Sequence, residues 1–205
     1  MRRRLRLNVL FGLMLLSAGC LNYTSIIEIN PDGSGTLLME LRVPLIEEDT
    51  LHEIEEVWEG ADSVEGWLTT IHYVDTIDSV IIKHLEGSFD SPQALSNVLD
   101  MDSGNFEFTM EESDSFCYYH LYKYYEPAGD DEFEMMLELL EIDTIPDSLK
   151  DYTWEERIII HGTVTESNAD TAAGDTLIWH RLVWDMYRDG LTIMAFWEAR
   201  KETNP

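Results

Sequence analysis

Nine segments with strand character, most of them paired across short turns, decide what this 205-residue chain can fold into. Residues 22–30 and 36–43 flank Pro31-Asp32-Gly33-Ser34-Gly35, a run whose proline and glycines mark a hairpin turn. Residues 67–74 with 79–88, and 105–110 with 116–125, repeat the arrangement, and 155–161, 176–183 and 191–199 close the chain. Helical periodicity separates the pairs. Leu51, Ile54, Val57 and Trp58 share one face of a first helix, while Glu47, Glu48, Asp49, Glu53 and Glu56 fill the rest. Ser91-Pro92 gives an N-cap and a first-turn proline to a second helix that buries Leu95, Val98 and Leu99. Asp130 or Asp131 caps a third, with Phe133, Met136, Leu137 and Leu140 on one stripe. The expectation is an α+β fold: a curved antiparallel sheet of about eight to nine strands with three helices in ββα order packed on one face. No Pro- or Ser-rich linker interrupts residues 21–205, so 20–205 reads as a single domain with 143–151 and 166–174 as its longer surface loops.

The amino terminus gives the address. Arg2, Arg3, Arg4 and Arg6 precede a short apolar run, residues 7–16, and then Ser17-Ala18-Gly19-Cys20. Ten residues are too few for a hydrocarbon layer that needs roughly 20 in a helix, so residues 1–19 read as a signal peptide. Small residues ahead of Cys20 admit an extended backbone to a peptidase, and the thiol supplies a nucleophile for thioether lipidation. The stretch resembles the bacterial lipobox, which implies a diacylglyceryl group on Cys20 and cleavage just before it. The expected place is the cell envelope, lipid-anchored and extracytoplasmic. Leu21 after the Cys favours the outer membrane in a diderm host.

Charge narrows the partners. The chain carries 41 acids against 13 Lys plus Arg, and beyond residue 19 only nine bases face the same 41 acids. No basic footprint for nucleic acid exists in such a chain. Docking to an anionic bilayer by charge alone is equally disfavoured, which leaves the lipid on Cys20 as the expected membrane attachment. With Cys20 lipidated, Cys117 has no cysteine to pair with and reads as a small buried apolar residue.

Catalytic and metal-binding patterns stop short. His52-Glu53 begins like a zinc-protease helix, but position 56 is Glu where a second His is required. Asn30, Asp32, Ser34 and Gly35 resemble half a calcium loop whose twelfth position is Leu41, and a hairpin turn accounts for them. Cys117 and His120, three apart on a strand, point to opposite faces. His72, His84, His161 and His180 fall in separate strands and read as packing residues. No cofactor or metal is expected. Two features suggest binding: Tyr118, Tyr119, Tyr122, Tyr124 and Tyr125 crowd one strand, and the third helix is apolar around most of its circumference because Met135, Leu139 and Ile142 flank the main stripe. Met135, Met136 and Leu139 are the expected lining of a site for a lipid-like ligand, since methionine side chains reshape around variable partners.

Asp32-Gly33-Ser34-Gly35-Thr36 with the alternating apolar residues to Pro44, following a lipobox Cys, resembles the start of the LppM-type lipoprotein domain. So do Thr165-Glu166-Ser167-Asn168-Ala169-Asp170 and Gly174-Asp175-Thr176-Leu177-Ile178-Trp179. The resemblance implies an envelope-exposed α+β domain proposed to hold lipid-like ligands, with no agreed enzymatic activity. Three readings follow in order: a non-enzymatic lipoprotein binding an apolar ligand or an envelope protein, a structural or adhesive surface module, and a hydrolase using two carboxylates.

Self-repulsion among 41 acids destabilises the compact state, and salt relieves it as the screening length falls from about 10 Å at 0.1 M to about 3 Å at 1 M. The expected outcome is a higher melting temperature in about 1 M KCl than in about 0.05 M, measured by circular dichroism. A level or falling melting temperature contradicts it.

Overall fold

The computed structural model describes residues 22–44, 58, 60–78, 80–100, 105–127 and 152–201. Eleven strands and two α-helices lie among them, besides a single 3-10 turn at Ala61–Ser63: β1 (Asn22–Ile29), β2 (Gly35–Pro44), β3 (Trp67–Ile77), β4 (Val80–Phe89), α1 (Pro92–Asp100), β5 (Phe106–Glu112), β6 (Phe116–Tyr125), β7 (Thr153–Ile160), β8 (Thr163–Ser167), β9 (Thr171–Ala173), β10 (Thr176–Leu182), α2 (Val183–Asp189) and β11 (Leu191–Arg200). They form a seven-stranded sheet in the order β3-β4-β2-β1-β7-β10-β9 and a four-stranded sheet in the order β5-β6-β11-β8. Every pairing is antiparallel except that of β1 with β7.

This corrects the α+β expectation of one curved sheet under three helices. Alternation is strict on the central strands: Tyr23, Ser25, Ile27 and Ile29 of β1 are buried, as are Cys117, Tyr119, Leu121 and Lys123 of β6 and Leu191, Ile193, Ala195, Trp197 and Ala199 of β11. Such strands have one apolar face each and bury it against the opposite sheet, so the core is sheet on sheet. Of the three expected helices only the second lies among the described residues. It is α1, where Ser91 Oγ accepts from the Ala94 amide at 3.3 Å and Ala94, Leu95, Val98 and Leu99 are buried. The first and third fall on residues that the structure does not describe, apart from Trp58. Among the described residues no helix is long and apolar enough to cross a membrane.

The β1–β2 turn is held from both sides. Gly33 takes φ +83°, its amide donates to Asn30 O at 3.0 Å, and the Asp32 carboxylate accepts from the Ser34 amide at 3.0 Å and the Ser34 hydroxyl at 2.6 Å. Those two bonds hold Asp32 below the usual carboxylate range. The calcium-like spacing of Asn30, Asp32 and Ser34 is thus a hairpin turn. From the other sheet, the Tyr119 hydroxyl donates to Pro31 O at 2.6 Å, and burial pushes that phenol up.

Residues 166–174, expected as a loop, contain the end of β8 and all of β9, and they join the sheets. The chain leaves the large sheet after β7 at Gly162, where a Cβ would stand 2.5 Å from Glu198 O, so no larger residue fits without displacing backbone. It returns through Asn168. The Asn168 carboxamide donates to Thr192 O at 2.8 Å and accepts from the Met194 amide at 2.8 Å and the Trp179 indole at 2.9 Å. Met194 belongs to the small sheet and Trp179 to the large one. Asn168→Ala takes the shared acceptor from the Trp179 indole, whose bond is half-buried, and from the Met194 amide, whose bond is exposed so that water can resupply it, and the expected loss is about 1–2 kcal/mol of unfolding free energy in a denaturant titration, against under about 0.5 kcal/mol for Thr171→Ala on exposed β9.

Candidate functional site at the amino-terminal end of the large sheet

Cys20, Met135, Met136 and Leu139 lie outside the described residues. Asn22 opens β1 two positions after Cys20. Its row runs across the large sheet through Arg42 of β2 and Ile82 of β4 on one side, and Thr153 of β7 and Leu182 of β10 on the other. Asn22 Oδ1 accepts from the Thr153 hydroxyl at 2.8 Å, which fixes this end of the central strand pair.

Beneath that row, between the sheets, sits a polar group in an aromatic surround. Lys123 Nζ of β6 donates to both carboxylate oxygens of Glu156 on β7, at 3.1 and 3.2 Å, and both side chains are buried. The Tyr125 ring lies 4.9 Å from the ammonium, and its hydroxyl reaches Glu156 Oε2 at 3.5 Å. Ser25 stands beside Glu156 in the β1–β7 register. Its hydroxyl and the Trp154 indole N–H are buried without a hydrogen-bond partner. Tyr23 stacks on Trp154 at 3.7 Å and Tyr125 meets the same ring edge-on at 4.8 Å. Sequence reasoning missed this pair, and the signal was there: Lys123 and Glu156 occupy the apolar phase of strands that are otherwise Cys-Tyr-Leu and Trp-Ile-Ile on that face.

On the opposite, outer face a polar groove of about 330 Å³ is lined by Asn22, Thr24, Glu40, Arg42, Thr153 and Glu155. Glu40 and Glu155 flank Thr24 in register, with about 10 Å between their backbones. Each is already bound to an arginine two residues along its own strand, Arg42 at 2.7 Å and Arg157 at 2.6 Å. Glu156, on the inner face, is held by Lys123 through both its oxygens.

The histidines disperse. His84 stacks on Tyr73 and lies 3.5 Å from Glu40 Oε2, His161 pairs with Glu28 at 2.8 Å, and His120 stacks on Phe196 at 4.3 Å while Cys117 faces the core. Of the tyrosines on β6, Tyr119 packs inward against Trp197 and Tyr118 is exposed, so the strand offers no single aromatic platform.

No protein-family model matches the chain, and no curated protein does either. Among solved structures, the NMR structure of the folded domain of Mycobacterium tuberculosis LppM is similar over 90% of this chain and 91% of that one, at 13% identity and a TM-score of 0.44.

Removing one partner of a buried ion pair strands the other charge in the core. Lys123→Met alone is expected to cost about 3–5 kcal/mol by denaturant titration, and adding Glu156→Leu is expected to restore most of it. Equal losses in the single and double variants would show that the pair is not coupled.

Proposed function

We propose that this chain is a non-enzymatic lipoprotein of the bacterial cell envelope, anchored through lipid on Cys20, that binds an apolar, lipid-like ligand or a partner protein beside Met135, Met136 and Leu139. The observation that carries the reading is where the chain comes and goes. Residues 128–151 connect Pro127 to Tyr152. Tyr125 packs on Trp154, and Thr153 stands opposite Asn22, so both flanks of that stretch belong to the end of the domain nearest Cys20.

The surround suits an amphiphile. Tyr23, Trp154, Tyr152 and Trp184 are buried aromatics at this end, and the Ser25 hydroxyl and the Trp154 indole are donors without acceptors. An apolar body with one polar end matches that combination. The route to the bilayer is short, since only Leu21 separates Cys20 from β1.

Two measurements test this. Growth on a labelled fatty acid is expected to mark the wild type, while Cys20→Ala loses the label and keeps its leader; equal labelling contradicts the anchor. Native mass spectra of the mild-detergent extract are expected to show the acylated chain with one additional non-covalent lipid mass, lost when Met136→Asp and Leu139→Asp are combined. A bare acylated mass from the wild type contradicts the ligand.

A further inference from the structure

Six large apolar side chains are exposed among the described residues: Leu68, Ile71, Tyr73, Ile77, Tyr118 and Leu182. Five of them sit on the outer face of the large sheet. Leu68 pairs with outward-facing Ser88, Tyr73 with His84 and Ile77 with Val80, while Leu182 alternates with the inward Trp179 and Leu177. Two of the five, Ile77 at 52% exposure and Leu182 at 37%, lie at the end of the sheet where β1 begins.

Register places them closely. Asn22 aligns with Arg42, Arg42 with Ile82 and Ile82 with Asp75, so Ile77 lies two residues beyond the Asn22 row, about 7 Å further out. Pro44 and Val80 share its row. Leu182 lies on the Asn22 row itself, through Thr153. Between Ile77 and Leu182 run five strand spacings, about 24 Å, spanned by the polar groove around Asn22 and Arg42.

Chain length then fixes what meets this end. Two peptide steps separate Cys20 from Asn22, at most about 7 Å of extended backbone. A lipid on Cys20 therefore brings the Ile77 row level with the point where the acyl chains enter the bilayer. We infer that Ile77 and Leu182 rest in the headgroup layer of the membrane that holds the anchor, on either side of the polar groove, and stand the domain on the end of its large sheet. The inference rests on the anchor reading. Its lipid chemistry is zwitterionic, because Asp75 and the exposed Asp78 beside Ile77 repel an anionic surface while Arg42, Glu40 and Glu155 together offer both signs of charge. Apolar side chains two at a time add little affinity; their effect is orientation, since the acyl chains already hold the protein in place.

The test uses the full mature lipoprotein in phosphatidylcholine vesicles. Ile77→Cys, Leu182→Cys and, as the distant control, Leu68→Cys are each given a nitroxide label. Leu68 is nine residues up the same strand from Ile77, about 30 Å away. Cys117 is buried and the Cys20 sulfur is consumed in the thioether, so the placed cysteine takes the label. Flotation and intact mass first establish that the chain is acylated. The expected result is a several-fold higher ratio of oxygen to nickel-chelate accessibility at 77 and at 182 than at 68. An acylated, floating protein whose label at either 77 or 182 is as open to nickel as the one at 68 overturns the inference and leaves the anchor intact. Spin–spin broadening at 77 overturns it in favour of a second copy paired along β3. A chain without acyl mass overturns the anchor reading and this one with it.

Discussion

The parallel pairing of β1 with β7 is the contact on which the rest of the structure depends. It joins strands whose first residues, Asn22 and Thr153, are 131 positions apart, and without it the large sheet falls into β3-β4-β2-β1 on one side and β7-β10-β9 on the other. The same register sets Ser25 beside Glu156 and so positions the carboxylate that Lys123 meets from the small sheet. A parallel neighbour needs a long connection, and here the connection contains β5 and β6, the strands that cover the core. Closing so long a loop costs entropy before any contact rewards it, so the ion pair can form only after both sheets exist. Its worth lies in specificity of assembly more than in net stability, because a mispaired sheet would leave Glu156 charged and alone.

How much of this was legible follows from what each residue reports. The phase of β1, β2, β4, β6 and β11 was visible because one face is buried and the other wet, and the Ser91-Pro92 start of α1 was visible because capping is local. Alternation says which face is buried and nothing of what covers it, so a second sheet and a layer of helices predict the same strands. The strands β8 and β9 were invisible for a different reason. Their side chains are almost all exposed or half-buried, and Thr171-Ala172-Ala173 has no apolar phase to read. Of the short helix α2 only Val183 falls in an expected strand, 176–183, and the rest has no expected element because Val183, Trp184 and Met186 are apolar in a pattern too brief to show a period. For the proposed site, Cys20, which lies outside the described residues, drew notice because the resemblance to a lipobox is carried by a linear pattern. The Lys123–Glu156 pair did not, because it is made by residues from two sheets.

The few cations are spent locally. Arg42, Arg157, Arg181, Arg188 and Lys201 each hold a carboxylate on the surface, and Lys123 holds Glu156, the one carboxylate buried in the core among the described residues. Exposed pairs of that kind contribute between roughly 0 and 1 kcal/mol each and leave most of the acidic surface unneutralised. The fold therefore relies on its apolar faces, while the surface works against compactness at low salt.

What the interior asks of a ligand can be argued from its unmet needs. A buried donor without an acceptor costs about 1–3 kcal/mol, and this end of the core carries two, the Ser25 hydroxyl and the Trp154 indole. Replacing them with apolar residues would relieve that cost. Glu156 keeps acceptor capacity beyond Lys123 and Tyr125, yet neither donor is bonded to it. A bound water would satisfy one donor at the expense of ordering itself in an aromatic surround. On the proposed reading, the oxygen of an amphiphile would satisfy one donor in place of that water, and the stacked Tyr23 and Trp154 rings would face the rest of the molecule.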